Sequence, residues 1–185
     1  LPRDRWKRIA SSSITPDGPR VAHVPVVMED EAIRFHLSRG NALTRHLDGR
    51  TALFVVNGPD AYVSPDWYGL GPDQVPTWNY QVVHMQGRIR WDDSDKFKRR
   101  AVGLLTRKME GAAGWKMGDA PRDFMDGMLA AIVGFEVEVD QVLAKTKLSQ
   151  NRADADFDAV RQRFEGQGRL ALSDRMARMP RGGVK

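Results

Sequence analysis

Up to residue 91, the apolar residues recur at every second position, which is the spacing of β-strands whose two faces meet different surroundings. Residues 31–38 show this alternation most clearly, with Ile33, Phe35 and Leu37 on one face and polar side chains on the other. Further strands are predicted over residues 8–15, 20–28, 51–57, 61–64 and 80–91. A chain with so many short alternating segments is expected to fold around an antiparallel sheet.

The period of the apolar residues changes after residue 92 to three or four positions, which is typical of amphipathic helices. One helix is predicted to follow the N-cap candidates Asp92, Asp93 and Ser94, a second to begin beside Pro121, and a third to cover 154–165. The expected apolar stripe of the second helix consists of Phe124, Met128 and Leu129. Residues 132–140 return to the two-residue alternation and predict one more strand.

These patterns together predict a mainly-β fold of the α+β class, in which an antiparallel barrel has helices packed on it. No internal repeat is visible, and residues 1–165 are expected to form a single domain. Residues 166–185 carry Arg, Met and a Gly-Gly pair, and they are expected to form a basic, partly mobile tail.

Proline and glycine predict where the strands turn. The cluster at residues 16–19 is expected to close a hairpin, and the run Gly58-Pro59-Asp60 is expected to end a short strand. Pro25 has no N–H to give to a neighbouring strand, so the strand 20–28 is expected at an edge of the sheet or beside a ligand or partner.

The 185 residues include no cysteine, which excludes disulfides, thiolate metal sites, iron–sulfur clusters and cysteine nucleophiles. The net charge of +5 comes from the two ends of the chain: residues 1–20 and 152–185 together carry thirteen Lys or Arg against seven Asp or Glu. Residues 21–151 carry sixteen against seventeen and are nearly neutral. The positive charge is therefore weak evidence for a DNA-binding face.

No apolar run reaches the roughly 18 residues of a membrane helix, and residues 1–6 do not resemble a secretory leader. A cytoplasmic protein is expected from these features. Since the sequence does not begin with Met, residues that precede it are also expected.

Two segments have compositions that point to binding. Residues 75–80 combine Pro with two aromatic residues and an amide, which suits a ligand wall or a dimer contact, or else a loop held down by Trp78. Residues 145–151 combine two cations, a hydroxyl and two amides, which suits a phosphate ester, or else a capped connection into the next helix.

The four histidines, His23, His36, His46 and His84, lie far apart in the sequence. They could converge at the mouth of a barrel to hold a metal or a haem, although ordinary core or surface histidines are commoner. No phosphate-binding glycine loop, nucleophile elbow or zinc-protease motif is present.

Several separated segments resemble a known family. They are residues 57–68, 75–80 with His84, 134–136 and 145–151, and residues 22–25 and 36–41 fit the same pattern. In this order they resemble the PaiB family of FMN-binding negative transcriptional regulators, over about residues 8–165.

The resemblance implies a split β-barrel like that of pyridoxamine-phosphate oxidase, which works as a homodimer with FMN at the dimer interface. It implies that the isoalloxazine ring lies beside the strand that carries His23, Val24 and Pro25. The residues implied on the phosphate side are His36, Ser38, Arg39 and Asn41. Those implied to complete the pocket, from this chain or its partner, are Trp78, Asn79, Tyr80, Lys147, Ser149, Gln150 and Asn151.

Three functions follow in order of preference. The first is a dimeric FMN-binding regulator, whose link to DNA is direct or indirect and which needs no catalytic residue. The second is an FMN-dependent oxidoreductase or flavin reductase, in which the flavin supplies the redox chemistry. The third is a haem-handling split barrel that uses one of the histidines.

Overall fold

The computed structural model describes residues 9–16, 18–69 and 74–180, and its strands and helices confirm the predicted α+β class. The strands are β1 (Ile9–Thr15), β2 (Gly18–Val24), β3 (Val27–Glu29), β4 (Ala32–Ser38), β5 (Thr51–Val63), β6 (Thr77–Asp92) and β7 (Ile132–Lys147). The helices are α1 (Asp95–Glu110), α2 (Arg122–Ala130), α3 (Asp154–Gly166) and α4 (Leu170–Ala177). None of the helices in these ranges is long and apolar enough to cross a membrane.

The strands form one sheet in the order β2-β1-β5-β6-β7-β4-β3. β1 and β2 pair as the predicted hairpin, with Thr15 opposite Gly18, and β2 lies at an edge as Pro25 suggested. The single strand predicted over 20–28 is wrong, because Pro25 and Val26 belong to no strand and separate β2 from β3. β2 contacts β4, which lies near the opposite end of the strand order, so the strands close toward a barrel.

The turn predicted at residues 58–60 is also wrong, because β5 runs through Gly58 and Pro59 without a break. Among the described residues, β5 pairs with β1 over Leu53–Val55. Pro59 lies outside that stretch, so its missing N–H removes no hydrogen bond from it. The turn signal of Gly58 and Pro59 therefore does not break the strand.

Contacts divide the described residues into two units. The barrel unit contains residues 9–16, 18–56 and 84–143, and the helical unit contains residues 57–69, 74–83 and 144–180. In the barrel unit, the inward residues of β4 face β7 in register, with Phe35 directly opposite Phe135 and their rings stacked at 5.2 Å. The predicted alternation of β4 is confirmed by the burial of Ile33, Phe35 and Leu37.

The helical unit has its own core, built where α3 and α4 pack together. The buried residues of α3 are Phe157, Val160 and Phe164, as predicted, and Trp67 packs its ring edge against Phe164 at 5.5 Å. α4 lies within the segment for which the sequence suggested a tail, and it adds Leu172 and Met176 to this core.

In the barrel unit, α1 begins as predicted, with the Ser94 hydroxyl accepting a hydrogen bond from the Phe97 N–H. The stripe predicted for α2 is wrong in part. Leu129 and Met125 are buried, whereas Phe124 and Met128 are 60% and 52% exposed. α2 has only nine residues, and its apolar residues lie on two adjacent faces. So short a pattern does not show from the sequence alone which of the two faces is buried.

Candidate functional site

The binding residues expected from the sequence divide between the two units. The barrel unit holds His23, Val24, Pro25, His36, Ser38, Arg39 and Asn41. The helical unit holds Trp78, Asn79, Tyr80, Lys147, Ser149, Gln150 and Asn151. The two groups differ in how many of their polar side-chain atoms already have hydrogen-bond or ion-pair partners.

In the barrel unit, His36 is a half-buried side chain on β4. It lies directly opposite Gly134 of β7, and a Cβ added to Gly134 would meet the Phe97 ring of α1 at 2.5 Å. α1 therefore covers this face of the strand pair. Burial lowers the pKa of His36 below its ordinary value, so the side chain is neutral at pH 7.

Arg39, which with Lys147 is one of the two best phosphate cations suggested by the sequence, already has three partners through its Nε and Nη2. Its guanidinium donates to both carboxylate oxygens of Asp93 at 2.9 Å and to the carbonyls of Ala130 and Ile132 at 3.0 and 3.2 Å. These bonds tie the end of β4 to the end of α2 and to the residues that precede α1. In this geometry Arg39 is a structural brace.

Asp93 also forms an ion pair with a second cation, Lys98. The Lys98 ammonium, on a side chain only 4% exposed, donates to Asp93 at 3.1 Å. Desolvation raises the pKa of Asp93, but the hydrogen bonds and charges of Lys98 and Arg39 outweigh it and lower the pKa overall. The carboxylate therefore stays ionised and holds two cations together.

The other members of this group have local roles or lie on the surface. The Asn41 side-chain oxygen accepts from the Leu43 N–H at 2.9 Å, and the Ser38 hydroxyl accepts from the Gly40 N–H at 3.3 Å. Both bonds support the turn that follows β4. His23 is exposed, Val24 is buried, and Pro25 is half-buried.

In the helical unit, two predicted residues from distant parts of the chain are joined. The Ser149 hydroxyl donates to the Asn79 side-chain oxygen at 3.1 Å, and both residues are buried. Gln150 braces the same turn, accepting from the Leu148 N–H at 2.6 Å and donating to the Thr146 carbonyl at 2.7 Å. Asn151, next along the chain, is exposed.

The ammonium of Lys147 lies at the surface and donates to the Thr77 hydroxyl at 2.5 Å. A second ammonium, that of Lys145, lies 5.9 Å from the centre of the Tyr80 ring. Neither lysine has a carboxylate partner among the residues that the structure describes. Two cations without counter-charges, close to hydroxyls and rings, are suited to an anionic ligand.

An exposed aromatic face lies beside these lysines, and we define it as Tyr62, Trp78 and Tyr80. Tyr62 and Trp78 are 47% and 48% exposed, and their rings meet edge to face at 6.2 Å. The indole N–H of Trp78 donates to the Asp60 carboxylate at 3.1 Å, which holds the ring in place. Half-exposed rings held in this way offer a platform for a planar ligand or a protein partner.

This part of the helical unit fits the requirements of FMN. Lys145, Lys147 and the Thr77 hydroxyl supply the cations and the donor that a phosphate dianion needs, and the aromatic face offers surface to a flavin ring. The buried side-chain oxygen of Gln81 has no hydrogen-bond partner in the described residues, but Gln81 follows Tyr80 on β6 and therefore lies on the other face of the strand. This oxygen is not part of the candidate FMN site.

Sequence reasoning missed Tyr62. It lies in a motif that predicts a turn and a strand, and only the strand order places its ring against Trp78. Among the described residues no cluster of three or more carboxylates or histidines could hold a metal ion.

The closing antiparallel sheet with helices packed on it, as described above, has the fold of a split-barrel protein. Solved structures share the fold: an FAD and haem binding protein from Mycobacterium smegmatis gives a TM-score of 0.59 at 18% identity, covering 85% of this chain and 74% of that one. A flavocytochrome from Azotobacter vinelandii gives 0.62 at 12% identity, covering 84% and 69%.

Within this class, the chain belongs to the family described as "Putative FMN-binding domain", whose model matches residues 9–141. It is 29% identical to the Bacillus subtilis "Protease synthase and sporulation protein PAI 2", over 80% of this chain and 74% of that protein. An uncharacterized protein from Emericella nidulans is also 29% identical, with 75% of this chain matching 61% of the relative's length. The family resemblance inferred from the motifs is confirmed.

Proposed function

We propose that this protein binds FMN, with the phosphate held by Lys145 and Lys147 and the flavin ring against the aromatic face. The observation that supports it best is the pair of ammonium groups, without carboxylate partners in the described residues, beside half-exposed rings. Membership of the family independently supports the binding of FMN. FMN would supply redox chemistry, while the residues of this chain bind the phosphate and orient the ring.

The absorption spectrum of the purified protein and a titration with FMN test the binding, with tryptophan fluorescence followed in parallel. Saturable yellow colour with quenching of Trp78 is expected, and the quenching is expected to weaken in Trp78→Phe. A colourless protein whose fluorescence ignores FMN at high concentration would overturn the proposal.

The role of the lysines is tested by comparing FMN with riboflavin, which lacks the phosphate. Lys145→Met and Lys147→Met are each expected to weaken FMN by about tenfold and to leave riboflavin unchanged, since each removes one charge-assisted contact. Lys96→Met, at an exposed position of α1, is the matched control. Equal loss for both ligands would contradict phosphate contacts at these lysines.

We further infer that the protein acts as a homodimer and as a negative regulator of transcription. The name of the Bacillus subtilis relative supports a regulatory role. The exposed aromatic face supports a partner surface, because Trp and Tyr are typical anchors of interfaces. Sedimentation equilibrium is expected to give twice the chain mass, and a monomer at all concentrations would contradict the dimer.

The charges of α1 favour indirect repression. Its basic cluster is matched by carboxylates: Arg99 pairs with Asp126, and Arg100 pairs with Glu29 at 2.7 Å. A cluster whose arginines are already paired offers little to a DNA backbone. Operator binding measured against salt is expected to be weak and unspecific. A specific complex whose affinity falls steeply with salt would show direct binding instead.

A further inference from the structure

A cleft of about 470 Å³ opens between the C-terminal half of α1 and the segment 111–117 that follows it. It lies within the barrel unit, and its lining includes neither the aromatic face nor Lys145 or Lys147. Its volume falls within the roughly 300–1,000 Å³ of small-molecule sites. Neither the proposed FMN site nor the packing of the barrel core accounts for it.

Part of the lining of the cleft is apolar and open. Trp115 lines it with a side chain that is 46% exposed, although a tryptophan in a loop could have packed against the neighbouring helix. Gly103 of α1 faces the same space without a side chain, and a Cβ added there would make only ordinary contact with the Met117 sulfur at 3.7 Å. The arrangement leaves room for a flat apolar group beside the indole.

The lining of the cleft also carries two cations. Arg107 and Lys116 line it, with the hydroxyl-bearing Thr106 on the same helix, and no carboxylate is among the lining residues. Neither cation pairs with a carboxylate anywhere in the described ranges. Arg107 in the last turn of α1 suits the helix dipole, but that argument does not explain Lys116, which lies beyond the helix.

We propose that this cleft binds a small planar aromatic carboxylate. The aromatic ring lies against Trp115, in the space that Gly103 leaves open, and the carboxylate is held by Arg107 and Lys116. A planar guanidinium is the preferred partner of a carboxylate, because it can donate two parallel hydrogen bonds. For a regulator, a pocket of this kind would receive an effector that is chemically distinct from the flavin.

Two matched probes test the charge requirement: 1-naphthoate and the uncharged 1-naphthalenemethanol, each titrated into the full chain by calorimetry and by tryptophan fluorescence. Naphthoate is expected to bind at least tenfold more tightly than the alcohol. Arg107→Gln and Lys116→Met are each expected to remove most of that difference, while Lys96→Met on the same helix leaves it intact. Equal binding of the two probes would overturn the proposal.

Two substitutions at Gly103 test the place of the ring. Gly103→Leu is expected to fill the cleft and to reduce naphthoate binding by tenfold or more, whereas Gly103→Ala leaves space and binding nearly unchanged. Circular dichroism confirms that α1 is intact in both variants. Naphthoate binding that persists in folded Gly103→Leu, or that saturating FMN abolishes in competition, would place the ligand elsewhere and overturn the proposal.

Discussion

The Ser149 hydroxyl donates a buried hydrogen bond of 3.1 Å to the side chain of Asn79, and Ser149 has a positive φ of 60°. The left-handed region is costly for a residue other than glycine. Among the described residues, the amide nitrogen of Asn79 donates to the Met176 sulfur at 3.9 Å. Since sulfur is a weak acceptor, the serine hydroxyl is the main partner of this buried amide, and the strained turn is what places it there.

Replacing Ser149 separates the hydrogen bond from the backbone strain. Ser149→Ala is expected to lower the free energy of unfolding by about 1–3 kcal/mol, because the buried Asn79 oxygen loses its partner. Ser149→Gly loses the same bond but relieves about 1–2 kcal/mol of left-handed strain, so it should be the more stable variant. Urea denaturation measures both. An alanine variant as stable as the glycine variant would show that the strain is unimportant.

The core of the helical unit makes a paired prediction for α4. Leu172 is buried against α3, whereas Leu170 in the first turn of the same helix is 58% exposed. Leu172→Ala is expected to lower the free energy of unfolding by about 2–5 kcal/mol, and Leu170→Ala by about 0.5 kcal/mol or less. Similar small losses for both variants in thermal or urea unfolding would mean that α4 contributes little to this core.

The elements that sequence reasoning predicted correctly are those whose signal is local. The alternation of Ile33, Phe35 and Leu37 identifies β4 because a half-buried strand needs nothing more than a two-residue period. The cap of α1 at Ser94 is likewise a matter of neighbouring atoms.

The structure departs from the sequence expectations where a local signal does not decide the outcome. Gly58 and Pro59 form a turn signal, yet they lie inside the continuous strand β5. In the candidate site, Arg39 looked available for a phosphate, and only the fold brings Asp93 and two carbonyls to its guanidinium. A sequence shows which side chains carry charge, but it does not show which of them form ion pairs or hydrogen bonds within the folded protein.

Burial of His36 predicts a specific pH dependence. Because the folded pKa lies below the ordinary value of 6.5, the unfolded chain takes up this proton at a higher pH than the folded chain does. The contribution of neutral His36 to the free energy of unfolding is therefore complete above pH 6.5. It is lost as the pH falls below 6.5 toward the pKa of the folded state. His36→Gln should therefore lose less stability than the parent between pH 7.5 and 5.5.

The control for this comparison is His23→Gln, since His23 is exposed on β2. Denaturation midpoints are measured at each pH, and in His23→Gln they should change with pH as steeply as in the parent protein. An unchanged slope in His36→Gln would show that other groups cause the acid sensitivity.

Asp93 should matter more for stability than its neighbour Asp95, although both approach the ammonium of Lys98, at 3.1 and 3.5 Å. Asp93→Asn weakens the ion pairs with both Lys98 and Arg39, and it is expected to lower the free energy of unfolding by about 1–2 kcal/mol. This loss is smaller than that for a fully buried ion pair because Asp93 is partly exposed. Asp95 is 75% exposed, and Asp95→Asn should change little. Equal losses in urea unfolding would contradict this ranking.

Arg39→Lys distinguishes a structural brace from a phosphate ligand, because it keeps the positive charge and removes the guanidinium geometry. Since Arg39 binds Asp93 through two oxygens and also reaches two carbonyls, a single ammonium cannot replace it, and the free energy of unfolding is expected to fall by about 1–2 kcal/mol. FMN affinity, measured by fluorescence titration on the folded variant, is expected to stay within twofold of the parent. The opposite pattern, with stability unchanged and FMN about tenfold weaker while riboflavin is unaffected, would make Arg39 a phosphate ligand and move the proposed phosphate contacts away from Lys145 and Lys147.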